Sequence, residues 1–335
     1  GAALSSVGNP NLTWETSVTQ NIGLDFSMLN SKLSGSLEYF KNTTKDLIVR
    51  DNSVISTTAI DAGAPFVNLG EVQNTGVDFA LSYSNETNSG LRYNFNLNIS
   101  SYKNEVLALV NDTPAFGDNF REGSVTRTAV GEPISHFYGK PHDGLTSSGR
   151  LNFIDSNGDG TVNDSDRTII GNPHPDYTFG LNMNFAYENW DLSLFLNGSQ
   201  GNDIYNWVKI YSEFPTFVHG NRVDNVLNAW TPSNTNTSVP ALSTGVQNGE
   251  TAPNSYMVED GSYTRLKSVQ LGYSFPAIGM FESMRAYVSA TNLFTITDYT
   301  GMDPEVARSG ALTLGVDTGT YPAPRIVSVG LNLNF

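Results

Sequence analysis

The chain has 335 residues, 39% of them hydrophobic, and a formal net charge of -15. That length admits one large all-β unit or two ordinary domains. The acidity argues against a nucleic-acid binder, which needs a basic stripe, and the absence of cysteine excludes a disulfide scaffold and thiol catalysis.

No apolar run approaches the roughly 18 residues of a spanning helix. The mean hydropathy of -0.26 is what half-polar strands average to, so a membrane wall made of strands stays open. The first residues, Gly1-Ala2-Ala3-Leu4, offer no initiator Met, charged n-region or apolar h-region. No signal peptide is read there, and the chain is expected to be a piece of something longer.

Strict apolar/polar alternation recurs along the chain in hairpin pairs. The first pair runs from about Glu15 to Phe26 and from Leu33 to Val49, turned at Asn30-Ser31. In it Ile22, Leu24 and Phe26 oppose Asn21, Gly23 and Asp25. The second pair sets Val77, Phe79, Leu81 and Tyr83 beside Leu91, Tyr93, Phe95, Leu97 and Ile99, across a turn from Asn85 to Gly90. Asn94, Asn96, Asn98 and Ser100 take the other face.

The third pair is Phe179 to Tyr187 and Leu192 to Leu196, turned at Glu188-Asn189. The fourth is Val269 to Phe275 and Met284 to Ala290, turned over Pro276 to Ser283. A last strand, Val327 to Phe335, alternates to an aromatic end. Pro276 falls just past its strand, where a missing amide donor does no harm.

Long polar stretches separate the pairs: about Asp51 to Gln73, Lys103 to Asp176, Gln200 to Tyr263 and Thr295 to Arg325. Such loops are uncommon in compact soluble domains but normal on one rim of a transmembrane barrel. A further strand near Ile134 to Gly139 keeps the parity only if it does not span. The expected fold is all-β: an antiparallel transmembrane β-barrel segment of about nine strands with long extracellular loops, occupying 1–335. An odd count leaves open edges, which lipid does not tolerate. Another polypeptide segment, N-terminal to Gly1, is therefore expected to complete the barrel. A soluble β-sandwich is the alternative, and in it the asparagine faces would be ordinary solvent exposure.

One stretch carries chemistry. Asp155 to Asp166 fits a calcium-binding loop, with oxygen donors Asp155, Asn157, Asp159, Asn163 and Asp166, the Thr161 carbonyl, and Gly160 at the sharp turn. Asp in the final position reaches less far than the usual Glu. The competing reading is a metal-free turn rich in Asx hydrogen bonds. A structural Ca2+ that rigidifies an external loop is the expectation.

Catalytic constellations are otherwise missing. His136, His142, His174 and His219 lack metal-ligand spacing, and no G-x-S-x-G elbow occurs. The stretch from Gln200 to Tyr263 holds Tyr205, Trp207, Tyr211, Phe214, Phe217 and Trp230. These aromatics suit either packing and partner contact or direct stacking on a sugar or peptide.

Four ordered passages resemble the C-terminal part of SusC/RagA-like TonB-dependent transporters of Bacteroidetes. They are Asn9 to Glu15 with Asn21 to Phe26; Asp155 to Asp166 with Ile169 to Pro173; Gly198 to Asn206; and Ser289 to Phe294 with Gly301 to Val306. The resemblance covers essentially the whole chain. It implies a barrel of about 22 strands with an N-terminal plug, a SusD-like surface lipoprotein as lid, and TonB-driven import of oligosaccharides or peptides across the bacterial outer membrane. The plug, the TonB box and the early strands are not in this sequence, so no coupling residue is assigned. An outer-membrane adhesin or secretion translocator is the alternative function; an enzyme is not expected.

Overall fold

The computed structural model describes residues 8–50, 65–117, 119–218, 220–245, 248–277, 279–305 and 310–335. Nine long strands form one sheet: β1 Thr16–Met28, β2 Leu33–Lys45, β3 Gly70–Glu86, β4 Arg92–Leu109, β5 Tyr177–Tyr187, β6 Trp190–Gln200, β7 Tyr263–Phe275, β8 Ser283–Thr297 and β9 Ile326–Asn334. Sheet order follows chain order, and every neighbouring pair is antiparallel.

Register turns the alternation of single strands into a two-faced wall. One row crosses all nine strands through Met28, Leu33, Tyr83, Phe95, Met183, Leu194, Val269, Ala290 and Val327. The next reads Phe26, Gly35, Leu81, Leu97, Leu181, Leu196, Leu266 and Phe294. On the reverse face lies Ser84, Asn94, Asn184, Ser193, Gln270, Ser289 and Ser328. A one-residue slip anywhere would put asparagines among the leucines, so the pattern fixes the register.

The apolar face stays uncovered: Ile22 is 77% exposed, Leu24 64% and Val329 80%. Nine strands spaced about 4.8 Å apart make a wall roughly 40 Å wide. Strand β5 has 11 residues; tilted about 40°, it rises about 25 Å, the height of an outer-membrane apolar band. The product is on the order of 1,000 Å², well beyond the few hundred that soluble monomers expose.

Aromatic rings edge this band on both sides. Tyr83, Tyr93, Tyr187, Trp190 and Tyr273 lie at the short-turn rim, where Trp190 and Tyr273 meet at 4.8 Å and Tyr83 and Tyr93 at 5.9 Å. Tyr39 and Tyr177 mark the other rim. Amphipathic rings settle at membrane–water boundaries, so the two girdles give the wall its membrane level. The sandwich alternative fails here: no described element packs over the leucine face. Among the described residues no helix is long and apolar enough to cross a membrane.

Glycines admit large cross-strand neighbours. The Phe179 ring covers Gly198, and the Tyr287 ring covers Gly330, at distances no Cβ would allow. This is the device by which aromatics shield weak glycine positions in sheets. The turn at Glu188-Asn189 connects paired Tyr187 and Trp190, with Glu188 at φ 51°. That positive φ suits the right-handed strand twist.

Strand bounds differ from the sequence expectation in two places. The strand expected to reach Val49 stops at Lys45; Asp46 turns left-handed at φ 53°, and Ile48–Arg50 pairs instead with Phe66–Asn68. Strands β3 and β4 run further than their alternation, to Gly70 and Leu109. Above the band Val72, Val106 and Leu109 pack with Ile134 in a small core instead of facing lipid, so the period-two signal fades while the hydrogen-bonded ladder continues. His136–Gly139 is a strand of a small loop sheet and does not span.

Candidate functional site

The loops that follow β4, β6 and β8 fold into a single head with its own dry core. Asp203–Asn206 pairs antiparallel with Val258–Asp260 and parallel with Val316–Asp317, tying the second and third of these loops together. Thr126 Oγ1 donates to the Leu312 carbonyl at 2.5 Å, and Leu314 N–H to Ser135 Oγ at 2.9 Å, tying the first to the third. Val125, Phe137, Leu151, Tyr205, Ile210, Met257 and Val316 are fully buried beneath these seams. A packed apolar core, absent from most long loops, makes the head rigid.

The sequence-selected aromatics divide accordingly. Tyr205, Trp207 and Phe214 are sealed in that core, with Trp207 against Phe120 at 4.8 Å and Phe214 against Tyr256 at 5.9 Å. In this conformation they pack the head, the first of the two roles the sequence left open for them. Tyr211 is exposed and meets Phe217 edge-on at 5.1 Å. Trp230, half-buried, lies over Gly149, whose φ of 74° and lack of Cβ let the indole approach.

A buried charge cluster clamps the head to the wall. Arg265 of β7, its side chain 4% exposed, reaches Asp303 at 2.5 Å and Glu305 at 2.6 Å. Lys267 holds Glu305 at 2.6 Å, and Tyr263 Oη and Asn197 Nδ2 donate to the same carboxylate. Burial disfavours ionisation of both acids, but the cationic partners outweigh it and hold Asp303 and Glu305 below the usual carboxylate range. Sequence reasoning quoted Asp303 and Glu305 only within a resemblance and passed over Arg265. Its signal was a pair of cations, Arg265 and Lys267, at the start of a strand otherwise without charge. Val306 and His219 lie outside the described residues.

Under the head, the polar face bounds a cavity of about 580 Å³. Asn21, Asn42, Asn74 and Asn104 supply amides, Phe40 and Tyr102 supply rings, and Glu38 and Asp78 stand opposite one another on β2 and β3. Convergent amides and rings in a wet concavity bind neutral hydrophilic chains by hydrogen bonds and stacking.

His174 closes the cavity's edge: its Nε2–H donates to the Ile134 carbonyl at 2.9 Å, leaving Nδ1 to accept from Tyr102 Oη at 3.2 Å. His136 donates through Nδ1 to Pro133 O at 3.1 Å, and its buried Nε2 has no partner. Burial lowers the pKa of His136, His142 and His174 below the ordinary 6.5. Around His136, the Pro133 carbonyl and Glu132 pull upward and Arg127 downward, without reversing this.

Depressed folded-state values mean the unfolded head binds more protons, so this stability is present above pH 6.5 and lost as pH falls below it. Limited proteolysis should cut the segment 110–176 faster at pH 5 than at pH 7.5, and His174→Gln should weaken that dependence. Equal cutting at both pH values would refute it.

The acidic loop is bent by its own side chains. Asp155 accepts from Gly158 N–H at 2.8 Å and Gly160 N–H at 2.7 Å, and Asp159 from Thr161 N–H at 2.8 Å. Gly158 and Gly160 take φ of 73° and 84°, which other residues resist. Asp166 is buried and accepts from Asn163, Ser156 and Asn157 N–H, which hold its carboxyl below the usual range. Asn163 caps the short turn Asp164–Asp166. Asn157 and Asp159 are exposed and carry hard oxygens of the kind calcium takes. Among the described residues, no three His, Asp or Glu side chains gather around one point, so an ion here would also need amide and backbone oxygens.

The profile of the TonB dependent receptor-like β-barrel family matches residues 1–293. TonB-dependent receptor P3 of Formosa agariphila is 33% identical over all of this chain and 36% of its own length. TonB-dependent receptor SusC of Bacteroides thetaiotaomicron is 28% identical over 98% of this chain and 32% of its own. The chain thus spans about a third of the length of the curated relatives it matches. Among solved structures, the RagAB peptide importer in its open-open state superposes with a TM-score of 0.78 at 25% identity, covering 99% of this chain and 36% of that one.

Proposed function

The chain belongs to the TonB-dependent receptor β-barrel family of the bacterial outer membrane, and from that premise we propose that it is the wall segment and external loop head of a TonB-driven importer of oligosaccharides or peptides. What carries the reading is the nine-stranded wall with one lipid face and one amide-lined face, roofed by a rigid head above a hydrophilic cavity. The edges β1 and β9 have no partner strand among the described residues. Unpaired backbone groups in lipid cost several kcal/mol each, so further strands of the same transporter are proposed to close the cylinder around a plug that engages TonB. A SusD-like lipoprotein is proposed to seat on the head as a lid. No catalytic step is proposed; the relatives are receptors, and the superposed structure is that of a peptide importer.

The test is uptake of labelled oligosaccharides and peptides by cells lacking the full-length protein. Loss of one class of cargo, restored by the wild-type gene but not in TonB-depleted cells, supports import. Intact uptake with lost surface adhesion would instead favour an adhesin.

We further propose that Asp155, Asn157, Asp159, Asn163 and Asp166, with the Thr161 carbonyl, hold a structural calcium ion; bound there, the ion would cross-link an already bent loop. Chelation should raise protease cleavage between 155 and 166 several-fold in the wild type and not in Asp155→Ala/Asp159→Ala. Unchanged cleavage in both would sink the metal.

A further inference from the structure

The wall has a notch at its loop-side rim. Strand β4 continues to Leu109, whereas β5 begins only at Tyr177, opposite the last β4 residues of the apolar band. The segment 172–176 fills part of the gap, held by Ser101 Oγ on the Asp176 carbonyl at 2.7 Å. A crevice of about 580 Å³ remains. Tyr39, Thr75, Val77, Ser101 and Lys103 line it from the face turned away from the lumen, and Gly76, Tyr102 and Asn104 close its inner side.

The height of this crevice matters. Tyr39, Val77 and Ser101 form one register row, level with Tyr177 in the loop-side aromatic girdle. The next row outward is Gln20, Lys41, Thr75 and Lys103. Two residue steps along a tilted strand are about 5 Å, so both ammonium groups stand just above the apolar band, where lipid headgroups lie. The Lys103 side chain is 76% exposed and pairs with Glu105 at 3.0 Å, a surface pair of little strength. The crevice's one carboxylate, Asp176, is turned against Gly201.

We infer that this crevice binds a phosphate-bearing lipid of the outer leaflet, its acyl chain along Tyr39, Val77 and Pro175 and its phosphate between Lys41 and Lys103. Two observations favour a lipid over a soluble anion. On its outer side the crevice is continuous with the lipid-facing band through Tyr39 and Val77, and its one lysine, Lys103, stands at the outer lip rather than inside. In a chain of net charge -15, two lysines on the lipid side of one rim row are a local reversal of sign. Bound lipid would fill the place where β4 lacks a strand partner. The inference uses the membrane placement alone and is independent of what is imported.

Native mass spectrometry of the full-length protein in detergent tests it, with bisphosphorylated lipid A as probe. The wild type should retain one lipid, and Lys41→Gln/Lys103→Gln should lower its occupancy about tenfold or more, the scale of two lost lysine–headgroup attractions. Lys32→Gln, at the opposite rim, should leave it unchanged, and heat-modifiable gel mobility checks that all variants fold. Equal retention by the double variant, equal retention of dephosphorylated lipid, or full displacement by millimolar inorganic phosphate would each overturn the assignment.

Discussion

Arg265→Ala should detach the loop after β8 from the wall and destabilise the head by about 3–5 kcal/mol, the usual cost of breaking a buried ion pair from one side. The arginine sits on β7 with two carboxylates within 2.6 Å and Thr295 Oγ1 at 2.8 Å from its Nε. Without it, Asp303 keeps only backbone donors, from Glu305 and Ala323, and Glu305 keeps Lys267. Two partly desolvated acids then face each other across one cation, and the loop escapes to water.

Arg265→Lys keeps the charge but loses the fork that serves both acids, so it should recover only part of the loss. Thermal unfolding of the full-length protein, with proteolysis of segment 298–325, reads both effects. A wild-type melting curve for Arg265→Ala would show that the clamp contributes nothing.

Leu194→Arg should cost about 2–4 kcal/mol, because it places a charge near the bilayer midplane on the lipid face. Leu194 lies in the middle of β6 between Met183 and Val269. Ser193→Arg, one residue earlier, points to the amide-lined side and should cost well under half as much. The two variants differ in side-chain direction and hardly at all in position, which separates lipid exposure from general strand damage. Urea unfolding in micelles, with folded-barrel mobility on cold gels, gives the comparison. If both cost the same, the two faces are not distinct environments.

The wall was legible because lipid on one side and water on the other impose a period of two on every strand. Leu91 to Ser100 and Val327 to Phe335 show that period residue by residue, and the strands fall where it does. The turns at Asn30-Ser31 and Glu188-Asn189 were legible for a local reason: each is a short polar break between two alternating runs, and Asn30 tolerates the positive φ it takes.

The head was not legible. Its core joins residues such as Val125, Tyr205 and Val316, which lie on three different loops and share no periodicity. The sequence therefore left packing and ligand contact both open for Tyr205 and Trp207, and only the closure of the third loop shows them packed. The Arg265 clamp was hidden likewise, since its partners lie 38 and 40 residues away. The acidic loop occupies the middle ground: Gly158, Gly160 and the Asx side chains announced a bent loop, and its hydrogen bonds run as that spacing requires.

Which face meets lipid is best measured by a nitroxide scan of Tyr93 to Ser100 in the full-length protein reconstituted in bilayers. This stretch carries no native cysteine to compete for the label. Labels at 93, 95, 97 and 99 should be relaxed strongly by oxygen and weakly by a water-soluble nickel chelate, with the intervening positions losing that oxygen preference. Oxygen accessibility that is flat along the stretch, or highest at Asn94, Asn96 and Asn98, would contradict the two-faced wall and the transport reading built on it.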